Sequence, residues 1–72
     1  MKYDVRIVFY KQGVEDVEIK MLFIPRIGDV LDSEFLKQKC NNKACEVETV
    51  RFVYNDNFSE IDYVEIGIRP TI

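Results

Sequence analysis

The sequence predicts a small, mostly β domain: a five-stranded, partly open barrel built from two hairpins, with one short helix around residues 34–39. Three observations lead there. Val and Ile supply 17 of the 72 residues and Ala and Leu only 4, while nine more are Phe or Tyr. Such β-branched and aromatic side chains fit a pleated surface, and restricted χ1 freedom disfavours the β-branched ones in helices. Apolar residues recur at period two in two pairs of neighbouring segments. Turn-forming residues (Gly13, Pro25, Gly28-Asp29, Asn55-Asp56-Asn57, Pro70) fall between or after those segments. The length allows one domain, residues 1–72. A domain of this size buries only about 60% of its unfolded surface, so its stability is marginal and oligomerisation is a common form of support.

The first hairpin is expected over residues 3–10 and 17–24. Tyr3, Val5, Ile7 and Phe9 share one face, as do Val17, Ile19, Met21 and Phe23 on the return strand. Folding the chain about Gly13 pairs Phe9 with Val17, Ile7 with Ile19, Val5 with Met21 and Tyr3 with Phe23. A slip of one residue would set Phe9 against Glu18 and Ile7 against Lys20, which fixes the face. One pair opposes this register: Arg6 would face Lys20, at a cost of a few tenths of a kcal/mol, roughly.

Pro25 ends the second strand by removing a ladder donor. Gly28-Asp29 makes a tight turn, and Val30-Leu31 forms a short strand. Ser33 is placed to cap a helix over 34–39, with Glu34 favourable in its first turn and Phe35 and Leu36 packing it on the sheet. Asn41-Asn42 stops that helix. The second hairpin is expected over 45–54 and 60–69. Its faces switch halfway, because Val50, Phe52 and Tyr54 are even-numbered whereas Cys45 and Val47 are odd. With Val50 against Val64, one extra residue near Glu48-Thr49 sets Val47 against Ile66 and Cys45 against Ile68. A β-bulge there restores the apolar face and bends the strand as a small barrel requires.

The stretch Ile24-Pro25-Arg26-Ile27-Gly28-Asp29-Val30-Leu31 resembles a turn of small SH3-like barrel proteins, many of them uncharacterised proteins of bacteria and their phages. In those, a leading β-hairpin precedes a Pro-x-x-Gly-Asp turn and two or three further strands. That order holds loosely over most of this chain, although Ser33–Ala44 is longer and more helical than the resemblance implies. It implies an SH3-like fold and no activity, since that fold hosts many unrelated functions.

Composition narrows the function classes. The longest apolar runs are Ile7–Tyr10 and Met21–Ile24, far short of the roughly 20 residues a membrane helix needs. Asp4 interrupts the start of the chain and no secretory core follows, so a cytoplasmic location is expected. Two cysteines, Cys40 and Cys45, are fewer than a small secreted domain carries, which points to reduced thiols. The net charge of −3, with ten scattered basic residues, disfavours nucleic acid.

Chemistry finds few candidates. The chain has no His, its only serines are Ser33 and Ser59, and no Gly-rich phosphate loop is present. A thiol nucleophile at Cys40 or Cys45 would lack an imidazole base. Glu46 with Glu48, and Glu60 with Asp62, each place two carboxylates on one strand face about 7 Å apart, a spacing that a solvated face also produces. Cys40 and Cys45 supply two of the four ligands a structural zinc needs; the other four-thiolate route is a two-fold dimer. Packing of Cys45 in the sheet and Cys40 at the helix end is the simpler reading, and a disulfide between them does not suit a reducing compartment. No enzyme, cofactor or metal site is expected.

Recognition through a surface remains. The face opposite the core is expected to carry Val8, Tyr10, Leu22 and Ile24 on the first hairpin and Arg51, Val53, Ile61 and Tyr63 on the second. Apolar residues with Tyr and Arg have the composition of an interface, unless Ser33–Ala44 or Thr71-Ile72 covers them. The leading expectation is a protein–protein interaction module that self-associates, with Val8, Tyr10, Leu22 and Tyr63 as contacts and Arg51 as polar anchor. Edge-strand pairing between copies is a further route to a dimer. An alternative is a small-ligand or nucleotide-sequestering protein of phage or mobile-element origin, using Lys37, Lys39 and Lys43 beside an aromatic ring. Another is a structural component of a larger assembly.

Overall fold

A computed structural model describes residues 2–71. Five strands and one helix follow in the order β1 (Tyr3–Phe9), β2 (Val17–Met21), β3 (Val30–Leu31), α1 (Glu34–Lys37), β4 (Cys45–Tyr54) and β5 (Ile61–Pro70). They form one mixed sheet, β2-β1-β5-β4-β3, that curls into a half-barrel. The expected mostly β, partly open, five-stranded architecture with one short helix is therefore present. Two antiparallel hairpins, β1–β2 and β4–β5, meet along a parallel pairing of β1 with β5, with Val5 beside Val64, Ile7 beside Ile66 and Phe9 beside Ile68.

The register of the first hairpin differs from the expected one by two residues. Val5 faces Ile19 and Ile7 faces Val17, which keeps the apolar set on the inner face. Charge pairing favours the observed register. The shift removes the unfavourable Arg6/Lys20 pair and sets Arg6 opposite Glu18 and Lys20 opposite Asp4. Both pairs close, with Arg6 Nη2 3.3 Å from Glu18 Oε1 and Lys20 Nζ 2.6 Å from Asp4 Oδ1. Each exposed pair contributes at most about 1 kcal/mol, but it replaces a repulsion. The strand also stops at Met21, so Ile24 turns back to pack against the core instead of joining the outer face.

The second hairpin is again shifted by two residues, with Val50 facing Ile66 and Phe52 facing Val64. The bulge is where the alternation demanded it: the register steps between Val47 and Thr49, leaving Glu48 unpaired, so Cys45 and Val47 rejoin the inner face. A second step between Val53 and Tyr54 leaves Asp62 as the extra residue on β5. Gly67 lies opposite Thr49, and the threonine side chain fills the place where a Cβ on Gly67 would stand.

The inner face carries the core: Val5, Ile7, Phe9, Cys45, Val47, Val64, Ile66 and Ile68, closed by Leu36 and Cys40 from the segment that follows β3. The Gly28-Asp29 turn precedes β3 and anchors it to β4. Asp29 Oδ2 accepts from the Arg26 N–H at 2.8 Å, the Gly28 N–H donates to the Val47 carbonyl, and the Val47 N–H donates to the Asp29 carbonyl. Gly28 has φ +94°, which a side chain resists. Helix α1 is a single turn, shorter than expected. Ser33 holds its N-cap position through its backbone carbonyl, without a side-chain cap. Asn41 and Asn42, at φ +54° and +60°, turn the chain back into β4.

Candidate functional site

Three of the five residues singled out as contacts lie on the outer face of the sheet. Val8 is half-buried beside Gly67, and Tyr63 is half-buried beneath the Arg6 guanidinium, 4.5 Å from the ring centre. Arg51 is exposed and donates to Glu65 at 3.0 Å. The neighbouring positions are charged: Glu18, Arg6, Glu65 and Arg51 lie across four adjacent strands with alternating sign. Arg69 extends the pattern by bridging Glu46 at 3.4 Å and Glu48 at 3.5 Å. The outer face is thus an ion-pair lattice with small apolar inclusions.

Tyr10 and Leu22 are exposed but lie apart from that group and from each other. Tyr10 follows β1, its N–H donates to the Ile68 carbonyl, and its hydroxyl accepts from Asn41 Nδ2 at 3.0 Å. Leu22 follows β2 at the end where Met21 pairs with Tyr3, seven residues of strand away, roughly 23 Å. The Ser33–Ala44 segment covers the inner face through Leu36 and Cys40. Thr71 pairs with the Ala44 carbonyl, and Ile72, expected as a further cover, lies outside the described residues.

Part of the exposed apolar surface sits at positions the sequence assigned to the core, such as Tyr3, Ile19, Phe23 and Phe52, whereas Phe58 had no assignment. Of five phenylalanines only Phe9 is buried; Phe23 is 82% exposed, Phe58 77%, Phe35 53% and Phe52 45%. Phe23 loses its inner-face place because the register shift ends β2 before it. Phe52 does face inward, in a row with Val64, Val5 and Ile19, but the row buries only its two middle members. The like-charge clash of Arg6 with Lys20 was the signal that could have revealed the first shift, and the Arg51–Glu65 ion pair of the observed register is the matching signal for the second.

Exposed apolar side chains gather in two places. At the tip of the second hairpin, Tyr54 and Phe58 stack at 5.8 Å, and Phe58 holds φ +58° in a turn pinned by Asn55, whose side chain bonds to Ser59 twice. The other place is the open side of the half-barrel. There β2 and the short β3 face each other without pairing, across an apolar groove of about 360 Å³ lined by Ile7, Val17, Ile19, Met21, Val30 and Phe35, among others.

Several other chemistry-bearing groups have structural partners. Cys40 and Cys45 are fully buried free thiols. Burial, and then the neighbouring Cys40, push the Cys45 thiol up to about 12, so it carries no thiolate at neutral pH. Arg69 spans the Glu46/Glu48 pair. Of the three lysines, Lys37 is paired with Asp32 at 3.4 Å and Glu34 at 3.8 Å, while Lys39 sits 5.7 and 6.0 Å from the Phe35 and Phe9 rings. Among the described residues no group of three or more His, Cys, Asp or Glu could hold a metal ion, and no helix is long and apolar enough to cross a membrane. No protein-family model, curated protein or solved structure matches the chain.

Proposed function

We propose that the chain is a non-enzymatic, cytoplasmic protein-interaction module that works as a homodimer. The observation that carries this reading is the placement of the aromatics: four of five phenylalanines are on the surface of a chain that needs every apolar group for its own core. Fully burying such a side chain is worth about 1.5–3 kcal/mol, so the exposed parts of these four are a reserve for association.

Surface area points the same way. A folded monomer of 8.5 kDa is expected to expose about 4,650 Å². This one exposes 5308 Å², an excess of about 650 Å² that approaches the ~800 Å² each partner buries in a standard interface. The radius of gyration, 12.4 Å, also exceeds the ~11 Å of a compact chain of this length. Tyr10 and Leu22 remain contact candidates, whereas Val8, Arg51 and Tyr63 belong to a face whose charges are already paired.

Multi-angle light scattering behind size exclusion tests the reading. The expected mass is twice 8.5 kDa, falling to the single value on dilution. A mass of one chain at the highest soluble concentration would remove self-association.

A further inference from the structure

We propose that two copies join through β2, antiparallel about a two-fold axis at Ile19, so that the two half-barrel sheets become one ten-stranded sheet. The proposal rests on the self-association read above and assigns it a surface and a register.

Three observations support it. First, β2 is a sheet edge with one side unpaired over five residues, Val17–Met21. It contains no proline, bulge or glycine, and Glu18, Ile19 and Lys20 are exposed. Such an edge offers unpaired backbone groups to another strand.

Second, its charges are complementary to themselves. With Ile19 facing the partner copy's Ile19, Glu18 faces Lys20 and Lys20 faces Glu18. The lattice of the outer face then continues without a break: Arg51, Glu65, Arg6 and Glu18 of one copy, then Lys20 and Asp4 of the other, alternate in sign. Other registers fail. A shift of two residues sets Glu18 against Glu18 or Lys20 against Lys20. A shift of one sets the apolar face of one copy on the charged face of the other.

Third, the competing edges are poor. β3 has two residues. The free part of β4 is interrupted by the bulge at Glu48, and symmetric pairing of the regular stretch beyond it sets its one charge, Arg51, against itself, Thr49 or Val53; β2 on β4 of the next copy makes an open head-to-tail contact that does not close as a two-fold dimer.

The inner side gains as well. Val17, Ile19 and Met21 line the open groove, so a two-fold pairing lays the grooves of both copies side by side and continues the apolar face across the axis.

Charge complementation in solution tests the register. Glu18→Lys sets two lysines against each other across the axis, and Lys20→Glu sets two glutamates. Each variant alone is expected to dimerise at least about tenfold more weakly, with the circular dichroism of the parent. An equimolar mixture restores both opposite-charge pairs, and the two are expected to form a heterodimer of parental affinity, read by sedimentation velocity with one variant fluorescently labelled. Parental dimerisation by both single variants, or no recovery on mixing two folded variants, would overturn the β2 register while leaving self-association standing. A monomeric parent protein would overturn both.

Discussion

Gly67 is a residue at which the fold has no room for a side chain. It faces Thr49 at the bulge, and the threonine hydroxyl occupies the volume a Cβ would need. Gly67→Ala is expected to cost about 1–3 kcal/mol by overpacking, measured by urea denaturation. Thr49→Ala in the same chain removes the hydroxyl and is expected to recover most of the loss, because the remaining Thr49 atoms are at ordinary distances. Failure of the double variant to recover would mean that Gly67 is needed for its backbone. The buried thiols give a second prediction. An unfolded Cys45 releases its proton near 9.0, whereas in the fold it holds it to about 12. The contribution is therefore fully present below pH 9 and declines as pH rises from 9 toward 12. Cys45→Ala is expected to flatten that part of the pH–stability curve, on top of a loss at all pH values from the cavity. At pH 8 the native protein is expected to react with a thiol reagent far more slowly than the unfolded chain.

At the scale of elements, periodicity made the strands legible. The alternation of Tyr3, Val5, Ile7 and Phe9, and its odd-to-even switch between Val47 and Val50, place four strands and a bulge on the sequence. Register was less legible, because a shift of two residues keeps every side chain on its face and so leaves the apolar pattern unchanged. Only the charged positions break that degeneracy, through Arg6 with Glu18 and Lys20 with Asp4. Reversing one charge, Arg6→Glu, is therefore expected to lower stability by up to about 1 kcal/mol, with Arg6→Glu/Glu18→Arg closer to the parent than the single variant. A double-mutant coupling indistinguishable from zero would mean that apolar packing sets the register. Helix α1 was legible in place but not in length. Its hold on the sheet comes from Leu36, so Leu36→Ala is expected to cost about 2–5 kcal/mol.

At the scale of the whole molecule, the parallel joint of β1 with β5 had no signature in the chain, since two hairpins can meet along several edges with the same apolar faces. The Pro25–Asp29 turn docks on β4, but it carries no information on how the hairpins join. The outer face was legible in part for the same reason. Val8, Arg51 and Tyr63 do point away from the core, yet their charged neighbours become visible only when Glu65 of β5 lies between Arg6 of β1 and Arg51 of β4. What emerges is a half-barrel whose cover stops short of its rim, with ion pairs outside and aromatics along its open margins. A dimer built on alternating charges at its edge is also expected to weaken as salt rises.

Sedimentation equilibrium of the unmodified protein over a wide concentration range tests this account most directly. A reversible monomer–dimer isotherm with no larger species is the predicted result. A single ideal monomer throughout would contradict it.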